Sequence, residues 1–328
     1  MADATEHLED RHDDLDGDGR RQPGDEDGGL RRLLEHVVDY AGLFPPAGLD
    51  MRTTVANYAR GLASPEGWLL ERLVVPVGRL GEFEATAGDL MPTGDDDEPW
   101  PISCLVRPAG EAGIADDFAA IEAFNRRRAE PGAGSAIVDV VELRGGDPDA
   151  IDRVLDEIPD ELFPFFEVDP AADLRGILAV LVGGDAGAKI RTGGLEPAAF
   201  PAPELVASFI VQCARADVPF KATAGLHHPL RHRDAAAGCE AFGFLNVFGA
   251  GVLVRRFDLD AEEAERLLVE TSIDAIGFGP TGMTWRDGST VHEVTVDEIE
   301  DARLAFAVSF GSCSFDEPIE DLRGLGLL

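Results

Sequence analysis

Short apolar runs that alternate with amphipathic helical segments constrain the fold of this chain more than any other sequence feature. The runs are continuously apolar, which is typical of strands that are buried on both faces in a parallel sheet. Seven of them are clear, and they lie at residues 72–77, 101–107, 136–143, 162–169, 188–191, 220–223 and 273–278. Helical spacing of apolar residues separates them, so the sequence predicts repeated βα units.

The number of units depends on residues 37–44, where the pattern fits either a helix that runs into a first strand or a helix alone. With that strand, eight βα units predict an α/β fold of the (β/α)8 TIM-barrel type, in a single domain of residues 29–328. Without it, the alternative is an open doubly wound sheet. We also expect a helix over about 233–254, a last long helix over 295–309 and a tail over 310–328.

The chain of 328 residues is strongly acidic, with a formal net charge of −35. Residues 1–28 contain almost no apolar side chains, which predicts a disordered acidic tail. An acid excess with almost no lysine is typical of a halophilic protein's solvated surface, although a cationic partner is the alternative. No basic stripe is present to neutralise phosphates, which argues against nucleic acid as a partner.

The ends of the sequence and its cysteines predict a cytoplasmic protein. The N-terminus has no apolar segment of the kind found in signal peptides, and no apolar run is long enough to span a membrane. The four cysteines lie far apart without metal-ligand spacing, as expected for reduced, buried thiols. Whether the chain forms a homo-oligomer is left open.

Lysine is almost missing from this chain, since 26 of its 28 basic residues are arginine and only Lys189 and Lys221 are lysine. Each lies at the end of a predicted strand, where a barrel enzyme places its active site. An amine can lose its proton in a desolvated pocket and act as a base or nucleophile, which a guanidinium does not do. A buried ion pair and the anchoring of an anionic substrate are the alternative roles.

Other polar residues follow the predicted strands at the same end of the barrel. The candidate catalytic residues are Lys189, Lys221, Glu142 and Glu167, and the candidate substrate-binding residues are Arg107, Arg191, Thr223, His227, His228 and Trp285. Alternation along a strand places Glu142 and Arg144, or Lys189 and Arg191, on one face. If that face points inward, these side chains converge on one pocket.

The segment with Lys189, Thr192 and Gly193, followed by a helix and then Lys221 and Gly225, resembles the class I aldolases, in particular deoxyribose-phosphate aldolase. The resemblance implies that Lys189 forms a Schiff base and that Lys221 lowers its pKa. Residues 39–46 and 220–229 also resemble the signatures of an uncharacterised (β/α)8-barrel family.

Histidines raise a second hypothesis, because His227, His228 and His232 are close in the sequence. With Glu142, Glu167 or Asp169 opposite, they could hold a divalent metal, although no familiar metal-binding motif is present.

Residues 277–282 match GxGxxG, but no helix is predicted to begin there. We therefore interpret them as a glycine loop after the eighth strand, with Trp285 as a lid or a packing residue.

Three functions follow from these patterns. The first is a lyase or aldolase that needs no cofactor and acts on a small anionic carbonyl compound through Lys189. The second is a metal-dependent isomerase or hydrolase that uses the acidic residues and histidines. The third is a barrel that binds an anion without catalysis.

Overall fold

The computed structural model describes residues 28–94, 97–130 and 132–328. The strands in chain order are β1 (Val38–Tyr40), β2 (Leu70–Pro76), β3 (Trp100–Leu105), β4 (Ala136–Arg144), β5 (Phe163–Val168), β6 (Gly187–Arg191), β7 (Phe220–Thr223), β8 (His232–Asp234), β9 (Cys239–Ala241), β10 (Ile276–Gly279), β11 (Gly282–Asp287), β12 (Thr290–Thr295) and β13 (Ala307–Ser312). The predicted acidic tail falls on residues 1–28, of which residues 1–27 lie outside the described part of the chain.

The helices surround the barrel and follow its strands. They are α1 (Gly28–Leu34), α2 (Met51–Leu62), α3 (Leu80–Ala87), α4 (Ile114–Arg128), α5 (Pro148–Leu155), α6 (Arg175–Gly183), α7 (Pro203–Ala216), α8 (Phe244–Phe257), α9 (Ala261–Leu268), α10 (Val296–Ala305) and α11 (Asp316–Gly324). Short 3₁₀ helices cover Gly67–Leu69, Val77–Arg79, Gly88–Leu90, Pro197–Ala199 and Ile273–Ala275.

Eight parallel strands close into a barrel in the order β1, β2, β3, β4, β5, β6, β7 and β13, and β13 pairs with β1 to complete the ring. The predicted (β/α)8 fold is therefore confirmed, and the doubtful first strand is present as β1. Two of the helices begin at acidic capping residues. The side chain of Asp50 accepts a hydrogen bond from the Thr53 backbone N–H, and that of Asp147 accepts one from Asp149.

The eighth barrel strand is not the one that the sequence predicted. The run at 273–278 was predicted to be that strand, but residues 273–275 form a 3₁₀ helix and residues 276–279 form β10 of a separate antiparallel sheet in the order β10, β11, β12. The true eighth strand, β13, follows α10 after a single residue, Phe306. The prediction of a helix over 295–309 was therefore wrong at its C-terminal end, because no turn signal separates the helix from the strand.

The helix predicted over residues 233–254 was wrong at its N-terminal end. Residues 232–241 form the hairpin of β8 and β9, and the helix begins only at Phe244. Gly243 precedes the helix, and a side chain there would overlap the backbone of Leu230, since its Cβ would lie 2.3 Å from the Leu230 Cα. This close approach fixes the hairpin against the start of α8.

The loops after β6 and β7 touch each other through two glycines at the mouth of the barrel. A Cβ on Gly193 would lie 2.8 Å from the Gly225 Cα, and Gly225 adopts a φ of +79°, which favours glycine. The Thr192 hydroxyl donates a 2.6 Å hydrogen bond to the Ala224 carbonyl and joins the same two loops. The glycines next to the two lysine strands thus allow the two strand ends to stay close.

We predict that Phe310→Ala lowers the free energy of unfolding by about 3–5 kcal/mol, the usual range for deleting a buried phenyl ring. Phe310 is fully buried in β13 and packs on Phe244 and Phe248 of α8. Urea denaturation measures the change, and Phe257→Ala, which removes a 37% exposed ring, is the control. If the two variants lose the same small stability, the placement of residues 307–312 in the barrel wall is wrong.

Candidate active site

A cavity of about 540 Å³ opens at the C-terminal ends of the barrel strands. Its polar lining comes from the strand ends and the loops that follow them, and it includes Glu142, Arg144, Glu167, Lys189, Arg191, Thr223, His227 and Cys313. Apolar side chains such as Phe44, Leu105 and Phe200 form much of the remaining wall. A concave, mostly apolar pocket with a few convergent polar groups is the usual form of a small-molecule site.

Lys189 projects from β6 into the floor of this cavity and is 5% exposed. Its Nζ lies 2.8 Å from Glu142 Oε2 and 3.0 Å from Glu167 Oε2. The ammonium therefore has two carboxylate partners and still borders the space where a ligand would sit.

Lys221 lies beside Lys189 on β7, since the two residues are register partners on neighbouring strands. It is only 1% exposed and is not among the described residues that line the cavity. Its Nζ contacts Asp39 Oδ2 at 2.6 Å and Glu142 Oε1 at 2.7 Å. Burial lowers the pKa of Lys221, but the charges of Asp39 and Glu142 outweigh burial and hold that pKa above its ordinary value.

Glu142 joins the two lysines, because each of its carboxylate oxygens accepts a hydrogen bond from a different ammonium. The Ser103 hydroxyl donates a further bond of 2.7 Å to Oε1. Burial raises the pKa of Glu142, but the ammoniums of Lys189 and Lys221 outweigh it and hold the pKa well below its usual range. The Glu142 carboxylate thus lies between the two ammoniums, which are not left as an unscreened pair of like charges.

Two arginines extend the polar surface from the floor to the cavity mouth. Arg191, at the end of β6, lies 3.6 Å from Glu167 Oε1, and half of its side chain is exposed. Arg144, at the end of β4, is exposed and also lines the cavity. Both arginines therefore contribute positive charge to the lining of the cavity.

The structure brings most of the predicted site residues together, but it moves three of them away from the cavity. The Arg107 guanidinium pairs with Asp117 of α4 at 2.9 Å instead of facing the pocket. His228 pairs with Asp321 of α11. Of the two roles considered for Trp285, a lid or a packing residue, the structure agrees with packing, because Trp285 belongs to β11, is 2% exposed and stacks on His292.

Sequence reasoning missed several contributors to the charge network, among them Ser103, Asp39 and Ser309. Asp39 on β1 is fully buried, and its Oδ2 accepts a 2.6 Å hydrogen bond from the Ser309 hydroxyl of β13. Asp39 could have been found as a polar residue inside an apolar strand. Ser309 gave no signal because it was assigned to a helix.

The hypothesis of a metal site finds no ligand set in the described ranges. No group of three or more His, Cys, Asp or Glu side chains there is arranged to hold a metal ion. His227 lines the cavity, but its Nδ1 faces Glu317 of α11 at 3.2 Å. Glu142 and Glu167 are engaged by Lys189.

Across the described residues, the longest apolar helical stretches fall short of what a membrane-crossing helix requires.

Comparison of the chain with models of protein families, with curated proteins and with solved structures gave no match. The geometry of the cavity is therefore the basis for a functional assignment.

We predict that Glu142→Gln destabilises the protein at pH 7 by about 3–5 kcal/mol, because it leaves two buried ammoniums short of negative charge. The folded pKa of Glu142 lies below the unfolded value of about 4.3, so its carboxylate stabilises the protein above that pH. This contribution is lost as the pH falls through the folded pKa. The stability gap between wild type and variant therefore shrinks below about pH 4.3.

Urea denaturation at pH 7 and pH 3.5, at one salt concentration, measures this gap. Glu293→Gln removes an exposed carboxylate of β12 and is the control, with little expected change at either pH. A gap for Glu142→Gln that is equally wide at both pH values would contradict the assigned charge state.

Proposed function

We propose that this protein is a lyase of the aldolase type that needs no cofactor and acts on a small anionic carbonyl compound through an imine on Lys189. The observation that supports this most directly is the position of the amine. Of the two lysines in the chain, Lys189 borders the cavity while Lys221 is sealed below it. The resemblance to class I aldolases around these lysines points to the same chemistry.

A free amine is needed for the first step, and Glu167 is the group placed to produce it. Its Oε2 lies 3.0 Å from Lys189 Nζ, and its side chain is more exposed than that of Glu142. Glu142 is a poor acceptor for this proton, because the two ammoniums hold its pKa well below its usual range. Transfer of one proton from Lys189 to Glu167 leaves the lone pair that attacks the carbonyl carbon.

Glu142, although it is a poor base, stabilises the imine that forms next. As the C–N bond forms, the carbonyl oxygen takes up one proton from the Lys189 nitrogen and a second from protonated Glu167. It then leaves as water, and the nitrogen becomes a cationic iminium that keeps one N–H. Glu142 Oε2, 2.8 Å from that nitrogen, remains ionised and stabilises the positive charge. The iminium withdraws electrons from the neighbouring carbon, which allows a C–C bond next to it to break or form.

Lys221 has a supporting role in this scheme. Its charge is held by Asp39 and Glu142, and it fixes Glu142 from below without reaching the cavity. Arg144 and Arg191 bind the anionic end of the substrate at the mouth. Charge-assisted hydrogen bonds of this kind position a planar carboxylate or a phosphate.

We predict that sodium borohydride, added with pyruvate or dihydroxyacetone phosphate, fixes a reduced adduct on Lys189. Peptide mass spectrometry after trypsin locates it, because the two lysines lie in different Arg-bounded peptides, 176–191 and 216–231. Lys189→Arg is expected to abolish the adduct, and the Lys221 peptide of the wild type is expected to stay unmodified.

An adduct on Lys221 instead, or turnover that survives in Lys189→Arg, would refute the proposed role of Lys189. A barrel that only binds an anion would tolerate that variant and give no adduct with either compound.

We predict that Arg144→Gln and Arg191→Gln each raise the dihydroxyacetone phosphate concentration needed for half-maximal trapping by about 10-fold or more. Loss of a charge-assisted hydrogen bond costs about 1.5–3 kcal/mol, and about 1.4 kcal/mol corresponds to a factor of ten. Trapping of acetaldehyde, which has no charge, should not change. Arg107→Gln is the matched control, since its guanidinium pairs with Asp117.

Equal losses for acetaldehyde and dihydroxyacetone phosphate would show that the two arginines support the fold of the mouth and do not bind the anionic group.

A further inference from the structure

A second group of reactive side chains borders the same cavity, and it belongs to other elements than the lysines. Cys313 directly follows β13, and its Sγ lies 4.0 Å from the Nε2 of His227, in the loop after β7. His227 Nδ1 in turn lies 3.2 Å from Glu317 Oε2, in the first turn of α11. Both Cys313 and His227 line the cavity. A thiol, an imidazole and a carboxylate thus follow one another from the cavity to its rim.

The contact with Glu317 selects the form of the imidazole. The Glu317 carboxylate lies 3.2 Å from the buried Nδ1 without the alignment of a hydrogen bond, and its negative charge favours the tautomer with the proton on Nδ1, which leaves the lone pair on Nε2. That lone pair faces the sulfur of Cys313 and can accept its proton. The carboxylate also stabilises the imidazolium that results.

The surroundings of the Cys313 sulfur favour the protonated thiol in the resting protein. They also supply one N–H group that stabilises the thiolate when it forms. Burial raises the pKa of Cys313, and the negative charge of Glu317 raises it further. The backbone N–H of Ala47 points at the sulfur and acts in the opposite direction. Tyr40 also interacts electrostatically with Cys313, and Asp234 of the β8–β9 hairpin does so with His227.

We propose that Cys313, His227 and Glu317 form a second reactive centre of this cavity, in which the thiol adds reversibly to the carbonyl carbon of an aldehyde. His227 Nε2 takes the thiol proton while the S–C bond forms and the carbonyl π pair moves to oxygen. The imidazolium then gives that proton to the oxygen, so the product is a neutral hemithioacetal and no oxidant or reductant is needed. The choice of an aldehyde rests on the proposed function, because cleavage by an aldolase releases one. The reactivity of the thiol does not rest on it.

The first test measures the rate of Cys313 alkylation by iodoacetamide between pH 5 and pH 10, each rate being divided by the rate at pH 10 in the same variant. Division by that rate removes differences in access. With His227 as the base, the profile of Cys313 should rise at a lower pH than that of a simple thiol, whose pKa lies near 8.5. Cys239 on the β8–β9 hairpin is partly exposed and is the internal control.

His227→Gln should lower the relative rate of Cys313 at pH 7 by about 10-fold or more, because the profile then follows the thiol alone, whose pKa burial raises above its ordinary value. Glu317→Gln should lower it by a smaller factor, and Cys239 should not change in either variant. A Cys313 profile that coincides with that of Cys239, or one that His227→Gln leaves in place, would overturn the proposal.

The second test uses glycolaldehyde as the probe and Lys189→Arg as the background, so that no imine competes for the aldehyde. Glycolaldehyde should protect Cys313 but not Cys239 from alkylation, and removing it by gel filtration should restore the rate. Absence of protection would overturn the addition step. Failure of the Lys189 adduct with an intact Cys313 profile would refute the proposed lyase alone, and the reverse result would refute this centre alone.

Discussion

The carboxylate of Glu142 is the interaction on which the rest of the site depends. Each ammonium taken out of water costs several kcal/mol, so Lys189 and Lys221 can lie inside the barrel only with opposite charges beside them. Glu142 contacts both ammoniums. Glu167 is the second partner of Lys189, and Asp39 is the second partner of Lys221. A barrel interior is usually filled by branched apolar side chains. Here that apolar packing is replaced by a bonded set of charges that fixes the position of a reactive amine.

Much of this site could be predicted from the sequence, because two simple physical rules agreed. Lysine scarcity identified Lys189 and Lys221, and the ends of apolar strands identified Glu142 and Glu167 as neighbours in space. The structure places these four side chains in one connected network. Asp39 escaped because the strand that holds it has only three residues and could not be distinguished from the end of a helix.

Strand assignment failed where neighbouring elements join without a turn. Residues 307–312 follow a helix almost directly, so their apolar pattern continues that of the helix. The run at 273–278 looked like a stronger strand, but it pairs antiparallel with β11 outside the barrel. The error also misplaced Trp285, since a residue after a true eighth strand would lie at the mouth. Pairing partners far apart in the chain decide such cases, and local pattern does not reveal them.

The seclusion of both lysines also determines how the protein responds to reagents and enzymes that modify amines. Lys189 and Lys221 are 5% and 1% exposed, and the sequence contains no other lysine side chain. Acylation, biotin coupling or isopeptide attachment of another polypeptide therefore finds no lysine on the folded exterior. A group too large to enter the cavity would reach these two side chains only when the barrel opens, so for this chain such lysine labelling reports unfolding.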